Sequence, residues 1–166
     1  MLDWLPYYVL ACIYYASSGV PNKYTDAAGV PISGWTNSRN WLTATGKCTW
    51  YGVTCNSSGQ VTRIELHNNN LIGKVAPEVQ LLAPSLDTLN LQDNCYLLAE
   101  GAAGNSWIAS MENLVFLSVA GTSFEFDGIP TYFNQLSLLG ELSRAVFFAC
   151  CVCVLCVCAC VCVTGR

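Results

Sequence analysis

The stretch Val61-x-x-Ile64-x-Leu66-x-x-Asn69-x-Leu71 decides the fold, because the chain writes it again twice. Twenty-five positions on it reads Leu86-x-x-Leu89-x-Leu91-x-x-Asn94, and 28 positions after that Leu114-x-x-Leu117-x-Val119-x-x-Thr122-x-Phe124. Self-similarity at a nearly fixed period outranks local propensity as a guide to architecture. Residues alternate around each apolar triplet, which makes a short strand with one buried face. A single such unit cannot cover its own apolar side, so neighbours must stack. Asn69 and Asn94 stand where an inward amide, with two donors and an acceptor, can satisfy backbone groups of its own turn and of the adjacent repeat. Thr122 cannot do all of that. Gly73-Lys74-Val75-Ala76-Pro77-Glu78 and Gly128-Ile129-Pro130 read as turns leading to the next strand. Ordinary amphipathic strands of a sandwich are the rival reading, and three registered copies count against it.

Working back toward the N-terminus, Leu5, Val9, Cys12, Ile13 and Ala16 recur at helical spacing. This predicts one amphipathic helix from Pro6 to Ser18, stopped by Gly19. Residues 19–47 are rich in Gly, Pro, Asn, Thr and Ser, with Trp35 and Trp41 as the large apolar anchors. An irregular segment pinned by two rings is expected, with a short helical turn opening at Trp41-Leu42.

With these residues in view, the chain resembles plant-type leucine-rich-repeat proteins over roughly residues 7–142. Cys48-Thr49-Trp50-Tyr51-Gly52-Val53-Thr54-Cys55 looks like the C-x-W-x-G-V-x-C signature of their N-terminal cap. Gly59-Gln60-Val61-Thr62 leads into the first repeat as in that family. Tyr14-Tyr15-Ala16, Trp35-Thr36 and Asn40-Trp41-Leu42 are similar to caps of repeat proteins predicted in algae and other protists. The resemblance implies a disulfide between Cys48 and Cys55, which requires an oxidising compartment. Read from the residues alone, two buried free thiols are the alternative to that bond. Cys12 and Cys95 are expected to be structural. Asn56-Ser57-Ser58 is a glycosylation sequon, usable where the chain enters the secretory pathway. Met1-Leu2-Asp3-Trp4 lacks a positive n-region, and Pro6, Tyr7 and Tyr8 interrupt an apolar h-region, so no N-terminal export signal is visible.

The 166 residues fall within the size of one domain. A net charge of -4 with seven scattered Lys and Arg leaves no basic stripe for a phosphate backbone, so nucleic acid is not an expected partner. Of the 11 cysteines, seven lie in a Val-interleaved tail from Cys150 to Cys162. Before it, Asn134 to Leu142 begins a fourth repeat, which aborts where Arg144 takes the next apolar slot. Ala145 to Thr164 then runs uncharged for 20 residues, long enough to span a hydrocarbon core. Two readings stand for it. One is a transmembrane helix that anchors the chain. The other is a translated TG dinucleotide repeat from a frame slip, a retained intron or a truncated gene, since such a repeat encodes Cys-Val-Cys-Val.

The chain has no phosphate-cradling glycine loop, nucleophile elbow or zinc helix, and its single histidine, His67, has no cysteine or carboxylate at metal-ligand spacing. No enzyme, cofactor or metal site is expected. The remaining candidate for function is recognition by the strand residues that alternate with the core and project from the concave face. These are Arg63, Glu65 and His67 on the first strand, Thr88, Asn90 and Gln92 on the second, and Phe116 and Ser118 on the third. Mixed polarity with one aromatic suits a protein or peptide ligand.

The expected architecture is therefore α/β: a short leucine-rich-repeat solenoid with a helical, disulfide-bearing N-terminal cap and a C-terminal hydrophobic segment. The expected divisions are a cap over 1–60, repeats over 61–143 (61–85, 86–113, 114–138 and the aborted fourth), and the hydrophobic segment 145–164. The expected role is a non-catalytic recognition or scaffolding module of a secreted or cell-surface protein. The resemblance also allows the truncated ectodomain of a receptor kinase, or an inhibitor of cell-wall-degrading enzymes.

Overall fold

The computed structural model describes residues 4–18, 34–98 and 106–123. Gly19, Phe124, Gly128-Ile129-Pro130, the aborted fourth repeat, the segment 145–164 and the tail cysteines lie outside these residues. The chain opens with helix α1 (Leu5–Ser17). Pro6 sits in its first turn, where the missing N–H has no intrahelical partner to lose. The helix ends without waiting for Gly19. The Ser17 hydroxyl donates back to the Ile13 carbonyl and the Ser18 hydroxyl to the Tyr14 carbonyl, one turn earlier in each case. Val9, Leu10, Ile13 and Ser17 form its buried face.

Four strands make the principal sheet: β1 (Val53–Cys55), β2 (Val61–Glu65), β4 (Thr88–Asn90) and β6 (Phe116–Ser118), in the order β1-β2-β4-β6. The last three are parallel and in register, Ile64 opposite Leu89 and Leu89 opposite Leu117, as the triplet spacing expects. The strand β1 is antiparallel to β2 and was not read from the sequence. Leu66, Leu71, Leu86, Leu89, Leu91, Leu114 and Leu117 share one buried cluster with Val9, Leu10 and Ile13 of α1. At about 1.5–3 kcal/mol per fully buried side chain, this cluster is the main favourable term for the fold.

A second, parallel sheet pairs β3 (Ile72–Lys74) with β5 (Tyr96–Leu98). Single bridges from Ser18 to Ile72 and from Leu98 to Ser123 extend it at both sides. This corrects the reading of Gly73-Lys74 as a turn: the two residues are strand. Gly73 is needed there because its φ of +112° and a Cβ position 2.4 Å from the Ala16 carbonyl oxygen would strain any other residue. Two 3₁₀ helices, Pro77–Leu82 and Ser106–Ser110, pack side by side between the sheets' strands in sequence, and α1 packs against the first of them.

Residues 34–46 carry no helix or strand, and their rings hold them in place. Tyr7, Trp50, Trp41, Trp35 and Tyr14 form a continuous chain of ring contacts, with Trp35 and Trp41 only 4.6 Å apart between centroids. Each indole N–H finds an acceptor, from Trp35 to the Ser17 carbonyl, from Trp41 to Tyr51 and from Trp50 to Thr45. The expected helical turn at Trp41-Leu42 is absent. Asn40 and Leu42 are left-handed, at φ 67° and 57°, which breaks any helix there.

Candidate functional site

The strand alternation that buries Ile64, Leu89 and Leu117 puts their neighbours on the outward face of the principal sheet. Because the strands are parallel and in register, these neighbours align across strands. Arg63, Thr88 and Phe116 form one row, and Glu65, Asn90 and Ser118 a second. Backbone pairing continues past the strands, with the Asn68 N–H donating to the Gln92 carbonyl and the Asp93 N–H to the Ala120 carbonyl. His67, Gln92 and Ala120 therefore follow as a third row. The sequence reading missed one member: the antiparallel β1 places Thr54 opposite Arg63, so the first row begins at Thr54. The alternation of Val53-Thr54-Cys55 was the available signal.

The face is internally bonded. Arg63 and Glu65, two apart and hence on one side of the strand, form an ion pair at 3.2 Å. The Gln92 side chain donates to Asp93 at 3.0 Å and accepts from Ser118 at 3.5 Å, and the Thr88 hydroxyl donates to Asp87 at 2.6 Å. Arg63 and His67 are exposed, and Glu65, Asn90, Gln92 and Phe116 are half-buried. Two expected members differ: Thr88 is 7% and Ser118 0% accessible. Both side chains are short and neither projects from the face; Thr88 lies between the longer Arg63 and Phe116 of its row. Among the described residues no group of three His, Cys, Asp or Glu could hold a metal ion.

What positions the face is the buried amide of Asn94. Its carbonyl oxygen accepts from the backbone N–H groups of Asn69 and Leu71, each at 3.0 Å. Its NH₂ donates to the carbonyls of Leu66 at 2.9 Å in the preceding layer and of Leu91 at 2.8 Å in its own turn. Asn69 plays the same part toward the cap, accepting from the Asn37 N–H at 2.7 Å and donating to the Asn37 carbonyl at 3.0 Å. The Thr122 hydroxyl donates to Val119 in its own turn. One residue earlier, Asn68, Asp93 and Gly121 are all left-handed, with φ of 48°, 57° and 67°. Asn, Asp and Gly are the residues that tolerate this region. Their recurrence one place before the ladder was a signal the sequence reading did not use.

The cap carries the remaining sites. Cys48 and Cys55 are disulfide-bonded, and Cys12 and Cys95 are half-buried. Asn56, exposed just after β1, accepts from the N–H groups of Ser58 and Gln60, each at 3.0 Å. On α1, a hydrogen bond with Cys12, then the charges of Cys12 and Glu78, raise the Tyr8 phenol above its ordinary value.

No protein-family model matches the chain. It is 56% identical over 32 residues to Leucine-rich repeat protein 1 of Arabidopsis thaliana, a match covering 19% of this chain and 15% of that one. It is 35% identical over 103 residues to phytosulfokine receptor 1 of the same plant, covering 61% of this chain and 9% of the receptor. The chain's relatives are plant-type leucine-rich-repeat proteins. The likeness extends to solved structures. One is a plant ice-binding protein, with a TM-score of 0.62 and 22% identity over 80% of this chain and 37% of that one. Another is the BIR3–SERK2 complex of Arabidopsis thaliana, with 0.52 and 19% over 79% of this chain and 63% of that one. These structural likenesses show the fold.

Among the described residues no helix is long and apolar enough to cross a membrane.

Proposed function

We propose that the chain is a non-catalytic recognition module of a secreted or cell-surface leucine-rich-repeat protein, a short solenoid that binds a protein or peptide across the outward face of its principal sheet. The observation that carries this is the register of β1, β2, β4 and β6. It aligns Thr54, Arg63 and Phe116, and beside them Glu65 and Asn90, as a row of polar and aromatic points across the strands. Prepaired side chains such as Arg63–Glu65 lose little freedom on binding. That one structural neighbour is itself part of a two-protein complex supports the same use. The proposed divisions are a cap to residue 60 and repeats from 61 to 143, with the segment 145–164 as an anchor and Asn56 as a glycan site.

The test is selection of peptide ligands for the whole chain from a displayed random library. Binding is expected to fall at least tenfold, about 1.4 kcal/mol, on Phe116→Ala or Arg63→Ala and to be unchanged by Lys74→Ala on the second sheet. Ligands lost with Lys74→Ala and retained by the other two variants would refute the assignment.

A second reading, the ligand-sensing end of a receptor kinase, is favoured by the 103-residue match to phytosulfokine receptor 1. It requires the chain at the cell surface. Protease protection of an epitope-tagged chain in intact cells decides that point, and an intracellular chain would rule it out.

A further inference from the structure

Helix α1 presents an uncharged aromatic stripe that no element of the described fold covers. No charged residue occurs from Trp4 to Ser18. Trp4 continues the helix by accepting from the Tyr8 N–H at 3.0 Å. On a helix of 3.6 residues per turn, Trp4, Tyr8, Ala11 and Tyr15 fall within one narrow sector, opposite the buried Val9, Leu10 and Ile13 face. Trp4 is 57%, Tyr8 46% and Tyr15 71% accessible. An amphipathic surface helix ordinarily carries charge on that side.

Three occupants can be weighed. A sugar ring stacks on flat, coplanar aromatic surfaces, and here the Trp4 and Tyr8 planes cross at 70°. A second copy of the chain needs about 800 Å² per partner for a stable dimer. Three rings of at most about 250 Å² each, exposed to roughly half, supply on the order of 400 Å². The composition fits a third occupant. Tyr and Trp, an apolar body with a polar tip, are the residues that settle at the headgroup level of a bilayer. The exposed set on this stripe contains no other large side chain. Net charge and the flanking Glu78, which borders Tyr8, disfavour an anionic surface.

We propose that α1 lies in the interface of a neutral lipid bilayer, with Trp4, Tyr8 and Tyr15 immersed at the headgroup boundary. The proposal stands on the helix alone and does not use residues 145–164. Binding through this stripe is indifferent to salt, because no charge on it is screened.

The test uses the full chain with phosphatidylcholine vesicles and a photoreactive p-benzoylphenylalanine in place of Tyr15, or, as a control on the sheet face, in place of His67. Lipid adducts are expected several-fold more at position 15 than at 67, equally at low and high salt. With Trp4→Ser and Tyr8→Ser, both surface changes, the yield at 15 is expected to fall to that at 67. Equal yields at the two positions, no lipid adduct, or a yield at 15 unchanged by the two serines would each overturn the proposal. An adduct between two protein chains at position 15 would also overturn it, in favour of the second copy.

Discussion

The turn at Asn94 and the turn at Thr122 occupy equivalent places, 28 residues apart, and are built differently. At Asn94 one amide joins two layers, accepting from Asn69 and Leu71 and donating to Leu66 and Leu91. At Thr122 the hydroxyl, with one donor, closes its own turn onto Val119. Both side chains are buried, and the local backbone, left-handed at Asp93 and at Gly121, is the same. The comparison teaches that the strand repeat can be kept while the tie between layers is changed, because apolar triplets and the ladder residue answer to different forces. The triplet is fixed by burial and the ladder by the cost of leaving buried backbone groups unpaired.

The largest effect expected from this contrast is at Asn94 itself. Asn94→Ala strands buried N–H groups of Asn69 and Leu71 together with the Leu66 carbonyl, and should destabilise by about 4 kcal/mol in denaturant unfolding. Thr122→Ala should lose only about 1 kcal/mol by the same measurement, and equal losses would break the comparison. Leu89→Ala, which opens a cavity in the shared core, is expected to lose about 3 kcal/mol, whereas Gln92→Ala on the outward face should lose less than about 0.5. Equal values at those two sites would mean the register is wrong. Replacing both Cys48 and Cys55 by alanine should lower stability by about 2–3 kcal/mol, the loop-closure value for so short a ring. Peptide mapping of non-reduced, secreted material must first find the two joined. The sharpest test is a gain: Thr122→Asn puts an amide with two donors and an acceptor where the hydroxyl has one donor, and should raise stability by about 1 kcal/mol. Backbone hydrogen exchange, strong at Ile64–Leu66 and Leu89–Leu91, should in the parent chain be weaker at Leu117–Val119, and Thr122→Asn should narrow that difference.

Much of the principal sheet was legible because a period of two within strands and of 25–28 residues between them is written in Leu, Ile and Val. The Asn ladder was legible for a related reason, since an amide in an otherwise apolar register must be satisfied. The second sheet was not. Ile72-Gly73-Lys74 and Tyr96-Leu97-Leu98 share no residue pattern, and they pair only because stacking the first sheet brings them side by side. Strand β1 escaped for the opposite reason, its three residues being absorbed into the cysteine motif. For the candidate face, alternation told which side Thr88 and Ser118 occupy but not that both would be buried there. Exposure depends on what the neighbouring strands bring alongside, and one strand's sequence does not carry it.

The form of β1 also has a consequence for assembly. Parallel strands added one after another describe a growing polymer, and such a polymer has two ends at which another molecule could add. Among the described residues the outermost strand at the N-terminal end is β1, three residues long, irregular between Thr54 and Cys55, and running against its neighbour. An incoming strand meets an edge of three residues whose ladder is already interrupted, and so finds few groups in line to pair with. Head-to-tail fibre growth through this sheet is therefore disfavoured at that end by the shortness and irregularity of the edge.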